Sequence, residues 1–220
     1  MKRVIFLFAV AVLTVSYAQA QFKFGARAGL NLTNWASKYD GKKMEGSEYL
    51  KFKPGFQIGV VGEIAVIDNF AIQPGLLFAT QGYRMNTSES DGSIKHESKS
   101  TLNVNYLQIP VNAQYKLDLG GMKLLLQAGP YFGFAVSGKN KNKFTFDGET
   151  ENEDYKIDFG TGPEEMNPLD FGLGLGAGMQ FGNIQAGLGF NFGLANLNNV
   201  DKYTVRNYGL AFTVTYLFGK

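Results

Sequence analysis

Cysteine is absent from all 220 residues. The fold therefore has no disulfide framework and relies on backbone pairing and packing. The same absence excludes a lipoprotein anchor. Histidine occurs once, as His96, so a nucleophile triad or a lipid-modifying hydrolase would have that one imidazole to draw on. His96 sits in a polar stretch with Ser88, Glu89, Ser90, Asp91 and Ser93, the setting of a solvated loop residue. No enzyme and no cofactor are expected. A long hydrophobic run is missing too. The apolar stretch Val4 to Val15 is shorter than the ~20 residues a spanning helix needs. It follows Lys2 and Arg3 and precedes Ala18-Gln19-Ala20, a small-x-small cleavage pattern. Residues 1–20 are therefore expected to be a signal peptide and 21–220 the mature domain. An excess of one charge is the last absence. Of 21 basic and 19 acidic residues, the leader takes two bases and no acid, and 21 − 2 leaves 19 against 19. That balance excludes a nucleic-acid partner.

What the chain does have is glycine, 28 residues of it, and aromatics at 14%. Both are used with a period of two. Phe171, Leu173, Leu175, Ala177, Met179 and Phe181 alternate with Gly172, Gly174, Gly176, Gly178 and Gln180, which puts one set on each face of a strand. Eight runs show this pattern: 22–31, 52–64, 70–81, 102–115, 122–136, 170–181, 183–194 and 207–218. Each is long enough for a tilted strand to cross a bilayer, about ten residues.

The connections alternate in length. Residues 65–69, 116–121 and 182 are short turns, whereas 32–51, 82–101, 137–169 and 195–206 are long and polar. Such segregation is the pattern of an outer-membrane barrel with periplasmic turns and extracellular loops. Aromatics cluster at both strand ends. Phe22, Phe24, Phe70, Tyr115, Phe181, Tyr216 and Phe218 lie near the short turns; Trp35, Phe56, Phe78, Tyr83, Phe134, Phe171, Phe190 and Tyr208 lie near the long loops. Two such girdles flank an apolar band. Unpaired strand edges are forbidden in hydrocarbon. The expected fold is therefore all-β, a closed antiparallel eight-stranded up-and-down transmembrane β-barrel. Its expected place is the outer membrane of a Gram-negative cell, with the N-terminus and short turns periplasmic. A soluble periplasmic barrel binding a lipid is the alternative of a different class.

Several segments resemble the porin-like outer-membrane β-barrel family that includes PorT. They are Phe22–Asn34, Lys53-Pro54-Gly55-Phe56, Ile72–Phe78, Tyr106–Val111 and Gln127-Ala128-Gly129-Pro130. The resemblance runs through 21–220 apart from the loops and rests on strand and turn motifs that carry no reaction. It implies an outer-membrane barrel, loosely a porin, and through PorT an accessory role in protein export.

Parity places Lys23, Arg27, Lys53, Glu63, Lys123 and Asp170 on the inward face. Buried charges must pair or be solvated, so these residues are candidates for an interior polar network, with Arg27–Glu63 the first expected pair. Gly172, Gly174, Gly176 and Gly178 also turn inward and could leave room for a narrow solute path. A barrel of eight strands is small enough for side chains to fill, which favours a plugged lumen. Asp147, Glu149, Glu151, Glu153 and Asp154 lack the spacing of a calcium loop. Alternation in Phe144 and Phe146 before them, and in Tyr155, Ile157 and Phe159 after them, predicts a projecting hairpin with the acids at its tip. The run Gly172-Leu173-Gly174-Leu175-Gly176 is no phosphate loop, because the alternation continues and no helix follows. Expected partners are outer-membrane lipid and lipopolysaccharide, with a surface ligand or an export-machinery component as further partners.

Overall fold

The computed structural model describes residues 22–44, 49–91, 94–146 and 149–219. Among the described residues ten strands make the fold: β1 (Phe22–Tyr39), β2 (Lys42–Lys43), β3 (Leu50–Ile67), β4 (Phe70–Asp91), β5 (Ile94–Asp118), β6 (Lys123–Phe146), β7 (Glu149–Lys156), β8 (Leu169–Phe181), β9 (Ile184–Gly193) and β10 (Tyr203–Phe218). Eight of them form a ring in the order β10-β9-β8-β6-β5-β4-β3-β1, and β1 pairs back with β10. The closing seam is long and antiparallel, from Phe24 opposite Phe218 to Tyr39 opposite Tyr203. Closure satisfies backbone groups that hydrocarbon would leave stranded.

The side chains are arranged inside out relative to a soluble protein. Leu30, Phe132, Leu175 and Leu188 are between 57% and 67% exposed, whereas Gln73, Gln114, Asp170 and Thr215 are no more than 1% exposed. A soluble lipid-binding barrel would turn its large apolar set inward, so this sorting overturns that alternative. The short turns, such as the one at Gly182 with its φ of 55°, gather at the end where β1 begins and β10 finishes.

Aromatic contacts mark both ends of the wall. Phe24 stacks on Phe218 with centroids 5.9 Å apart, and Tyr216 meets Phe218 at 5.1 Å. At the other end Phe56 packs on Phe78 at 6.0 Å and Phe190 on Tyr208 at 6.4 Å. Trp35 and Tyr83 do not join the girdle expected from their place near the long loops; both continue the inward parity of Asn31 and Gln81. They meet at 4.9 Å and pack inside the ring against an apolar cluster that includes Leu102, Val104, Tyr106 and Leu197. That cluster lies across the long-hairpin end of the lumen. Its members come from β5, β6 and β10 and from Met166 and Leu197 in the connections between strands.

Two stretches expected as polar loops are mostly strand. Residues 82–91 and 94–101 prolong β4 and β5, and 137–146 prolongs β6 to pair with β7. Together they form a four-stranded blade that rises from one side of the barrel. Serine, threonine, asparagine and charge populate both faces of the β4 and β5 extensions, so these carry no hydrophobic period, yet their ladder is continuous. The backbone of His96 belongs to it, opposite Glu89 and Phe146. The expected hairpin exists as β6–β7, with a different arrangement of acids. Glu149, Glu151, Glu153 and Asp154 run along β7, with Glu151 opposite Phe144 and Asp154 opposite Lys141. Ile157 and Phe159 lie past β7 and pack on the apolar cluster. Asp147 and the expected signal segment 1–20 fall outside the described residues.

Candidate functional site: the barrel interior

Inward positions of β1, β3, β4, β5, β8, β9 and β10 build one polar network in the half of the lumen nearer the short turns. Arg27 donates through Nε to Thr215 Oγ1 at 2.8 Å and through its terminal nitrogen to Gln73 Oε1. Gln73 Nε2 donates to Gln185 Oε1 at 3.0 Å, from one wall of the ring to the opposite one, and to Glu63 Oε2 at 3.4 Å. Glu63 is the acceptor at the centre. Lys116 Nζ reaches it at 2.5 Å and Gln185 Nε2 at 2.7 Å. Gln180 Oε1 takes bonds from Lys116 at 3.3 Å and Gln185 at 3.1 Å. Gln114 Nε2 extends the network to β6 by donating to Gln127 Oε1 at 3.2 Å. Arg27, Glu63 and Lys116 are all buried, so this is a hydrogen-bonded charge cluster of the kind that tolerates low dielectric.

Arg27 and Glu63 do not pair directly. Arg27 stands opposite Gly59, and the residue opposite Glu63 is Lys23. Gln73 bridges the two, and Lys116 supplies the ion pair. Lys23 and Lys123 sit half-buried at the short-turn end. Lys53 is buried towards the other end, with Nζ 3.5 Å from the Pro54 carbonyl oxygen. Asp170 belongs to a second cluster. Tyr131 OH donates to its carboxylate at 3.4 Å, and Asn207 Nδ2 donates to Oδ2 at 2.9 Å. Sequence reasoning did not single out Lys116, Gln73, Gln114, Gln180 or Gln185. The signal for Lys116 was available, because it continues the inward parity of Gln108, Asn112 and Gln114 one step past Tyr115.

The inward glycines of β8 do not open a path. A Cβ on Gly172 would stand 2.2 Å from the Phe192 carbonyl oxygen and 2.7 Å from the Tyr131 ring. On Gly174 it would meet Asn191 Oδ1 at 2.6 Å, and on Gly176 Gln127 Nε2 at 2.8 Å. On Gly178 it would strike the Ala186 carbonyl oxygen at 2.4 Å. Groups from the adjoining strands occupy the space the missing side chains leave. A cavity of about 50 Å³ lined by Arg27, Gln57, Gln108, Gln127, Tyr131 and Asn191 separates the two polar clusters. Further lumenal spaces are about 20 and 10 Å³, the scale of single waters. Among the described residues, no three acids or histidines converge as a metal site would require.

Polar inside, apolar outside and closed on itself, this is the architecture of an outer-membrane β-barrel protein. The chain belongs to the outer membrane protein beta-barrel domain family, whose sequence model matches residues 17–199. No curated protein matches it. Similar solved structures include Neisserial surface protein A, at 16% identity over 89% of this chain and 97% of that one, with a TM-score of 0.42. Another is Ail, the attachment invasion locus protein of Yersinia pestis, solved with the heparin analogue sucrose octasulfate. It is 19% identical over 90% of this chain and 99% of that one, with a TM-score of 0.33. The outer membrane protease OmpT from Escherichia coli is 10% identical over 89% and 97%, with a TM-score of 0.36.

Proposed function

We propose that this is a non-enzymatic barrel with a closed lumen, whose work is done by the surface it presents beyond the membrane. One observation carries the reading. The interior is crossed by the Arg27–Gln73–Glu63–Lys116 network and covered by the Leu102 cluster, and the lumenal spaces between described residues measure about 50, 20 and 10 Å³. Binding or envelope architecture at the long hairpins suits such a molecule, whereas a narrow porin needs a continuous aqueous path. In this reading the short turns and the start of β1 face the periplasm and the blade faces outward. The export-accessory role rests on the strand motifs shared with PorT-like chains, and co-purification of export components would test it.

Liposome swelling tests the closed lumen. Vesicles carrying the protein should shrink and stay shrunken in small sugars and amino acids, like protein-free vesicles. Selective re-swelling would favour the porin. Protease shaving of intact cells tests the orientation, with cleavage expected in 82–101 and 137–156.

A further inference from the structure

The blade carries six cations on one face. Asn105 Nδ2 donates to Ser137 Oγ at 2.8 Å, on the face that continues upward from outward-facing Leu107 and Phe134. Two residues further along β6, the same face bears Lys139 and, opposite it, Lys156. The next row holds Arg84, Thr101 and Lys141, and the next holds Lys99 opposite Lys143. Arg84, Lys99, Lys139, Lys141, Lys143 and Lys156 therefore share one surface about three rows high.

Two of these pairings set ammonium directly against ammonium, which weakens an antiparallel sheet. Asp154 engages Lys139 at 2.6 Å and Glu97 engages Lys99 at 2.9 Å. Among the described residues, those are the acids that form ion pairs with this face. A sheet that places like charges opposite one another is suited to an anion that covers them. The position says which anion. Below the cations, an outward groove of about 570 Å³ is lined by Phe56, Phe78, Asn103, Asn105, Lys139 and Lys141. It forms where the β3–β4 register shifts between Phe52 and Gln57. The wall is thus aromatic at membrane depth and cationic immediately above it, continuous with the lipid-facing band. Basic clusters beside a bilayer attract anionic headgroups, and the aromatic floor suits acyl chain.

We propose that this face binds the phosphate groups of an outer-leaflet glycolipid, with the lipid's chains lying along Phe56 and Phe78. The proposal rests on the outward orientation of the long hairpins given above. Lys141, Lys143 and Lys156 hold phosphate, Arg84 closes one side, and the groove takes the first carbons of the chains. Bound phosphate relieves the Lys139–Lys156 and Lys99–Lys143 repulsion.

The test uses the full-length mature protein in phosphatidylcholine nanodiscs doped with bis-phosphorylated lipid A or its fully dephosphorylated form. Retained copies are counted by native mass spectrometry. At least a tenfold preference for the phosphorylated lipid is expected. The quadruple variant Lys99→Gln, Lys141→Gln, Lys143→Gln, Lys156→Gln should lose it. Melting supplies a second readout with opposite signs. Without lipid A the variant should melt at or above the wild type, because repulsion is gone; with lipid A only the wild type should gain stability. Equal retention of the two lipids, or an undiminished preference in the variant, would overturn the proposal. So would equally tight binding of a water-soluble sulfated oligosaccharide in lipid-free micelles, which would make the face a general polyanion site. Failure of the orientation is read separately, as an absence of cleavage of 137–156 in intact cells.

Discussion

Removing the Glu63 carboxylate leaves the Lys116 ammonium buried beside Gln180 with its opposite charge gone. Loss of one partner of a buried pair costs about 3–5 kcal/mol, whereas replacing both by apolar residues is often neutral. Glu63→Ala should therefore lower the urea unfolding midpoint strongly, and Glu63→Met with Lys116→Met should recover most of it. The glycines give a second residue-scale outcome. Gly172→Ala pushes a methyl against the Phe192 carbonyl and the Tyr131 ring, an overpacking cost of about 1–3 kcal/mol. It should reduce the heat-modifiable folded band on electrophoresis. Which residues point inward was legible from parity for Arg27, Glu63, Asp170 and the β8 glycines. Which of them meet was not, because pairing depends on register. Arg27 faces Gly59, four residues from Glu63, an offset of about 13 Å along a strand. Nothing local in the two segments encodes that offset.

At the scale of the strand, the two faces of β8 should respond oppositely to charge. Leu175 is 57% exposed on the lipid side, and an arginine near the bilayer midplane costs about 2–4 kcal/mol. Leu175→Arg should show that loss in unfolding from lipid vesicles. The β6–β7 hairpin adds a pH dependence. The hydrogen bond from Lys139 holds the Asp154 carboxyl below its ordinary range. A lowered folded value means the contribution is present above the ordinary carboxylate range and is lost as pH falls through the folded value. Proteolysis of the hairpin should accelerate on acidification, and Asp154→Asn should flatten that response. Membrane-embedded strand segments were readable in sequence because lipid and lumen impose strict alternation. The β6–β7 half of the blade was readable too, from the alternation around Phe144 and Tyr155; the β4 and β5 extensions were not, since a strand in water with two polar faces has no such constraint.

For the whole molecule, closure and sorting act together. A ring removes every edge within the membrane band, and eight strands bring opposing inner faces close enough for Gln73 of β4 and Gln185 of β9 to touch across the interior. The eight strands of the ring, the segregated connections and the apolar exterior were all legible in the chain. Occupancy of the lumen was not, because glycine in sequence shows a missing side chain but not the neighbour that fills its place. Planar-bilayer recording of the purified wild-type barrel reads that occupancy most directly. A trace without stable conductance steps is expected from a lumen crossed by the Glu63 network and covered by the Leu102 cluster. Reproducible, solute-selective steps would contradict it.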